Sequence, residues 1–154
     1  DMIVAIKEML LPLTTVLTPN SLEARRLAGE GGGDDDDLAL DECARRLIAL
    51  GCRHVLLTGT HENTSQVLNI LYGEAGILRS DAWTRLAGSY HGSGCTLASA
   101  VAAGLARGLK VGEAVREAQD YTWQSLAAGF RPGMGQFIPD RFFWARRRDE
   151  NDAG

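Results

Sequence analysis

At 154 residues, 45% hydrophobic and 23% charged, the chain has the length and composition of one globular domain. Its net charge is −4, and Lys and Arg are scattered except in the tail Arg146-Arg147-Arg148, which argues against a nucleic-acid partner. The sequence shows no secretory signal or apolar run of membrane length, and Cys43, Cys52 and Cys95 lack metal-ligand spacing, so a soluble protein of the reducing cytoplasm is expected.

Ile3, Ile6, Met9 and Leu10 recur at helical spacing, which predicts a helix over residues 2–10, ending near Pro12 because the residue before proline avoids helical angles. Thr14-Thr15-Val16-Leu17 reads as a short β-branched strand stopped by Pro19. Asn20-Ser21-Leu22-Glu23 then opens a helix running to about Ala28. Residues 29–37 (GEGGGDDDD) read as a solvated acidic loop, since the aspartates lack the alternating spacing and closing Glu of a calcium loop. Asp41 is expected to cap a helix reaching Leu50, with Cys43, Leu47 and Leu50 facing the core and Gly51 ending it.

His54 to Thr58 is a strand of the buried type, running into Thr58-Gly59-Thr60-His61. Residues 67–72 and 77–79 are expected to form an antiparallel pair joined around Gly73, with a separate strand over 83–86. Two helices follow, 96–107 ended by Gly108 and 111–128, the latter with Ala114, Val115, Ala118, Tyr121, Thr122 and Leu126 on one face. Tyr121, Trp123 and Phe130 are expected in the core, and residues 129–148 carry no readable period. Strands alternating with helices, then a helix pair, indicate an α/β sandwich.

Between the last strand and the first of those helices lies Gly88-Ser89-Tyr90-His91-Gly92-Ser93-Gly94, followed directly by Cys95. A glycine loop opening a helix presents free backbone N–H groups at the positive end of the helix dipole, a natural seat for phosphate. Cys95 falls in the first turn, where the same field favours thiolate over thiol. Spacing alone leaves a second reading open, a tight turn before a packed alanine-rich helix with Cys95 as a small core residue. His91 reads as hydrogen-bonding support for the loop, with an acid/base role as the alternative.

Two further constellations carry a structural and a functional reading side by side. Asn20 with Glu23 three residues on is close to a capping box, and its amide and carboxylate oxygens also suit a hydrated Mg²⁺. Thr58-Gly59 stands at the carboxyl end of a strand, where open α/β sheets bind ligands, and is equally a plain strand exit.

The stretch HGSGCTLASAVAAGLARGL, with EAVREAQDYTWQSLAAGFRPGMG after it, resembles the C-terminal signature of hydroxymethylpyrimidine/phosphomethylpyrimidine kinases of the ribokinase-like superfamily. The resemblance implies the C-terminal part of a three-layer α/β/α sandwich, with residues 1–140 in the kinase domain, a tail over 141–154, and an N-terminal half lying upstream. It also implies ATP-dependent phosphorylation of 4-amino-5-hydroxymethyl-2-methylpyrimidine and of its monophosphate in thiamine biosynthesis. Catalytic roles would fall to Cys95 as base and to Gly92, Ser93 and Gly94 as phosphate cradle. Thr58 and Gly59 would contact ATP, and Asn20 and Glu23 would hold Mg²⁺. Thr58-Gly59-Thr60-His61 stands where the family more often has Lys-Gly-Gly-His, and Ala87-Gly88-Ser89-Tyr90 replaces a stretch containing Lys-Asn. A pyridoxal kinase of the same fold and a non-catalytic nucleotide-binding fragment are the alternatives, and a homodimer stays open.

Overall fold

Val55, Leu56 and Leu57 form an unbroken apolar run, which is stable only in a strand covered on both faces. In the computed structural model, which describes residues 2–29, 37–59 and 64–145, this run is the core of strand β1 (Val55–Thr58). Strands β2 (Gln66–Gly73) and β3 (Gly76–Thr84) continue the sheet in the order β1-β2-β3, both pairings antiparallel. Val55 and Leu57 pack with Tyr72 against Leu11, Ala24, Cys43, Ala44 and Leu47, while the cross-strand pair Leu56 and Leu71 is fully buried on the opposite face.

The other edge of β1 is taken by the segment leading to helix α2 (Ser21–Ala28), in parallel and only through isolated bridges at Leu17 and Asn20. The sequence predicts a regular strand over 14–17, and proline explains why none forms. Leu17 exchanges bonds with His54 and Leu56 at 2.9 and 2.8 Å, and the Pro19 carbonyl accepts from Thr58 at 3.0 Å. The next donor in the ladder would be the nitrogen of Pro19, which has no hydrogen.

Residues 2–10 are helical as expected, as α1 (Met2–Ala5) followed by a wider turn over Ile6–Leu10 and a tight one over Leu11–Leu13. Helix α3 (Leu40–Ala49) corrects two expectations. Its cap is Ala39, so Asp41 sits inside the first turn, where its charge still favours the helix dipole. Leu50, expected in the core, is 37% exposed, because the chain leaves the helix there and Cys43, Ala44 and Leu47 complete the buried stripe. Residues 77–79 and 83–86, expected as separate strands, are one strand, β3; its polar residues Arg79 and Asp81 pair at 2.7 Å on an otherwise alternating pattern. Most of the acidic run at 30–36, Thr60, His61 and the basic tail lie outside the described residues.

The chain divides into two compact units, Asp1–Arg85 and Leu86–Gly154. The second is built on helices α4 (Ser93–Ala106) and α5 (Val111–Ala127), joined by a short link in which Gly108 takes φ +88°. Thr96, Leu97, Val101 and Gly104 of α4 are buried, as are Ala114, Val115, Ala118 and Thr122 of α5. Gly104 lets the helices approach closely, since a Cβ there would lie 3.0 Å from Ala114 Cβ. Tyr121, Leu126 and Trp123 are only partly buried, and Phe130, expected in the core, is 44% exposed. Its backbone is committed to a two-bond bridge with Ile138, which leaves the ring outside.

Candidate functional site

Residues expected at the site fall in both units. In the first, Asn20 and Glu23 form a reciprocal capping box: Glu23 N donates to Asn20 Oδ1 at 2.9 Å and Asn20 N donates to Glu23 Oε2 at 3.0 Å. Asn20 also bridges to Thr58. Asn20, Glu23, Thr58 and Gly59 are thereby brought together at the carboxyl end of β1, and the capping reading of Asn20 and Glu23 holds as geometry.

Gly59 is buried where the strand leaves the sheet. Its N–H is shared between Leu68 O at 3.0 Å and Asn69 Oδ1 at 3.2 Å. A Cβ at this position would lie 2.5 Å from Leu68 O, closer than any side chain tolerates, so only glycine fits. Arg85 reaches back to the Thr64 carbonyl at 2.7 Å and to that of Gly59 at 3.4 Å, on either side of the undescribed stretch 60–63. Asn69 and Arg85 were not among the residues singled out from sequence. A buried amide in the apolar run of β2 is the signal that marks Asn69.

The second unit carries the glycine loop. Helix α4 starts at Ser93, three residues earlier than the sequence suggests, with Gly92 as its cap at φ +87°, a left-handed angle that glycine adopts without strain. Thr96 N closes the first turn on Gly92 O at 3.0 Å. Among the described residues no acceptor faces the amides of Gly92, Ser93, Gly94 or Cys95. Those amides point out of the positive end of a 14-residue helix, which is the arrangement an anion requires. Cys95 is exposed in the first turn, so the reading as a small core residue is set aside. Burial raises the thiol pKa of Cys43 and Cys52 above the ordinary cysteine range, which leaves Cys95 as the accessible thiol among the described residues.

The loop is held from behind by the chain after α5. His91 N donates to Phe137 O and Phe137 N to Ser89 O, both at 2.8 Å, and the Tyr90 and Phe137 rings stand 5.6 Å apart. His91 contributes through its backbone and is itself exposed, in line with a supporting role. Arg141, expected in the tail, donates from Nε to Thr96 Oγ1 at 3.1 Å beside the opening of α4.

For a metal, the described residues contain no cluster of three or more His, Cys, Asp or Glu. Mg²⁺ asks for less, since it keeps several waters and takes one or two carboxylates beside nucleotide phosphates. Glu23 is exposed, with Oε2 engaged in the capping box, and its other carboxylate oxygen suits that role. Glu23→Gln keeps an oxygen for Asn20 N, so thermal stability should change little while apparent Mg²⁺ affinity, or kcat, falls in the full-length protein. A variant that melts early yet keeps its activity per folded molecule would leave Glu23 with capping alone.

The fold is of the ribokinase-like α/β class. Staphylococcus aureus pyridoxal kinase in complex with AMP-PCP matches it with a TM-score of 0.82 at 28% identity, over 94% of this chain and 53% of that one. The model of the phosphomethylpyrimidine kinase family matches residues 1–140, and the chain belongs to that family. A thiamine biosynthesis bifunctional protein of Geobacter sulfurreducens is 40% identical over 130 residues, 84% of this chain and 26% of that protein. A hydroxymethylpyrimidine/phosphomethylpyrimidine kinase of Streptomyces coelicolor is 39% identical over 139 residues, 85% of this chain and 48% of the relative. Bacillus subtilis pyridoxine kinase is 37% identical over 134 residues, 82% of this chain and 46% of the relative. The chain thus spans about half or less of the length of these curated relatives.

Proposed function

We propose that the full-length protein is a cytoplasmic, Mg²⁺- and ATP-dependent kinase that phosphorylates 4-amino-5-hydroxymethyl-2-methylpyrimidine and then its monophosphate for thiamine biosynthesis. The observation that carries this is the opening of α4, where four unengaged amides and an exposed thiol share one helix turn. Phosphoryl transfer demands positioning and charge stabilisation more than covalent chemistry, and these groups supply both. The amides of Gly92, Ser93, Gly94 and Cys95 hold the γ-phosphoryl oxygens as negative charge spreads over them. The substrate oxygen bonds to the γ-phosphorus as the bond to the β-phosphate oxygen breaks, and ADP departs. Cys95 Sγ takes the proton from the hydroxymethyl group in the first round and from the monophosphate in the second. Thr58 and Gly59 border the nucleotide phosphates. Asn20 and Glu23 would hold Mg²⁺, which would supply positive charge against the nucleotide phosphates.

A second reading, phosphorylation of a pyridoxine-type alcohol, is favoured by the likeness to Bacillus subtilis pyridoxine kinase. Both substrates offer a hydroxymethyl group on a six-membered nitrogen ring, so the opening of α4 serves either. Competition between hydroxymethylpyrimidine and pyridoxal for a limiting amount of the full-length protein separates them. Preferential phosphate incorporation into the pyrimidine is expected, and preferential incorporation into pyridoxal would move the assignment to the second reading.

A further inference from the structure

A second positive group stands at the mouth of α4. Arg141 Nη2 lies 3.1 Å from where a Gly92 Cβ would be, and its Nε is fixed on Thr96 Oγ1 at 3.1 Å. Thr96 is buried and donates its own hydroxyl hydrogen to Gly92 O at 2.8 Å, so the arginine is tied to the loop through one side chain. Its backbone is fixed separately. The Tyr121 hydroxyl donates to Arg141 O at 2.9 Å, and Asp140 N donates to Ser125 O at 2.8 Å. Asp140, 5% exposed, accepts from Phe142 N at 3.0 Å.

A cation near a helix N-terminus works against the dipole, whereas an anion there is stabilised. Among the described residues no carboxylate pairs with Arg141 to offset that. Thr96 takes one of the five guanidinium hydrogens, leaving both Nη groups to donate. A planar fork of this kind matches two oxygens of one phosphate. The glycine at position 92 gains a second reason, since a side chain there would press on the guanidinium.

We propose that Arg141 is a phosphate-binding residue of this site, its Nη groups holding terminal phosphate oxygens of a nucleoside triphosphate beside the α4 amides. The proposal rests on the reading of Gly92 to Cys95 as a phosphate cradle, and it carries the working part of the chain to the edge of the stretch expected as tail. The test is calorimetric titration of the full-length protein with Mg²⁺ and either AMP-PCP or AMP, for wild type, Arg141→Gln and Arg141→Lys.

Wild type should prefer AMP-PCP, and Arg141→Gln should weaken AMP-PCP about tenfold, the scale of a charged hydrogen bond, while leaving AMP binding unchanged. Arg141→Lys should recover part of the loss, because the charge returns without the fork. An Arg141→Gln protein that keeps the wild-type preference for AMP-PCP overturns the role of Arg141 and leaves the cradle standing. Equal binding of AMP-PCP and AMP by wild type would sink the cradle reading and this proposal with it. If Arg141→Gln does not fold, Arg141→Lys decides: undiminished AMP-PCP affinity contradicts bidentate phosphate binding, and a selective loss for AMP-PCP supports it.

Discussion

Cys95→Ala in the full-length protein is expected to lower kcat by about 10²–10⁴-fold, the usual contribution of a general base. AMP-PCP should still bind, because the cradle is made of backbone amides that alanine also provides. Cys95→Asp should recover part of the lost rate, since a carboxylate is an alternative proton acceptor at the same turn. Iodoacetamide should inactivate wild type through Cys95, the exposed thiol, with Cys43 and Cys52 shielded by burial, and ATP should protect. A kcat for Cys95→Ala within about threefold of wild type at saturating substrates would assign proton removal elsewhere.

Gly59→Ala carries the next largest expected effect, and it acts on the fold and the site together. The added methyl would meet the Leu68 carbonyl at 2.5 Å, and neither partner is a flexible side chain that can turn away. Pairing at the end of β1 must open, with loss of the Gly59 bonds to Leu68 O and Asn69 Oδ1. Overpacking of this kind costs about 1–3 kcal/mol, which chemical denaturation would register. Weaker nucleotide binding should accompany it if Thr58 and Gly59 border the phosphates. Gly112→Ala is the control, because a Cβ there meets nothing within 4 Å in helix α5. Helix propensity should raise stability in that variant by up to about 1 kcal/mol. Equal stability of the two variants would contradict the close approach at Gly59.

The parts of the molecule legible in sequence are those whose cause is local. The glycine loop into α4, the Asn20–Glu23 box and the apolar run of β1 each follow from a few adjacent residues. What the sequence hides depends on partners far along the chain. The irregular pairing of residues 14–20 follows from where Pro19 falls in the ladder to β1, a register no local pattern reveals. Leu50 satisfies the helical period and still faces out, because α3 has ended. The unity of β3 is masked by Arg79 and Asp81, which satisfy each other. Arg141 looks like one more charge in an aromatic tail, and only the bonds of residues 137–141 to the loop and to α5 bring it to the start of α4.

The proposed reaction is phosphoryl transfer from ATP to a pyrimidine hydroxymethyl group at the α4 loop. Its most direct test is a mass-resolved time course of the full-length protein with ATP, Mg²⁺ and 4-amino-5-hydroxymethyl-2-methylpyrimidine. The monophosphate should appear first and the diphosphate after it, with one ADP formed for each phosphate transferred. Release of ADP without either pyrimidine product, or no turnover from a folded protein that binds AMP-PCP, would contradict the account.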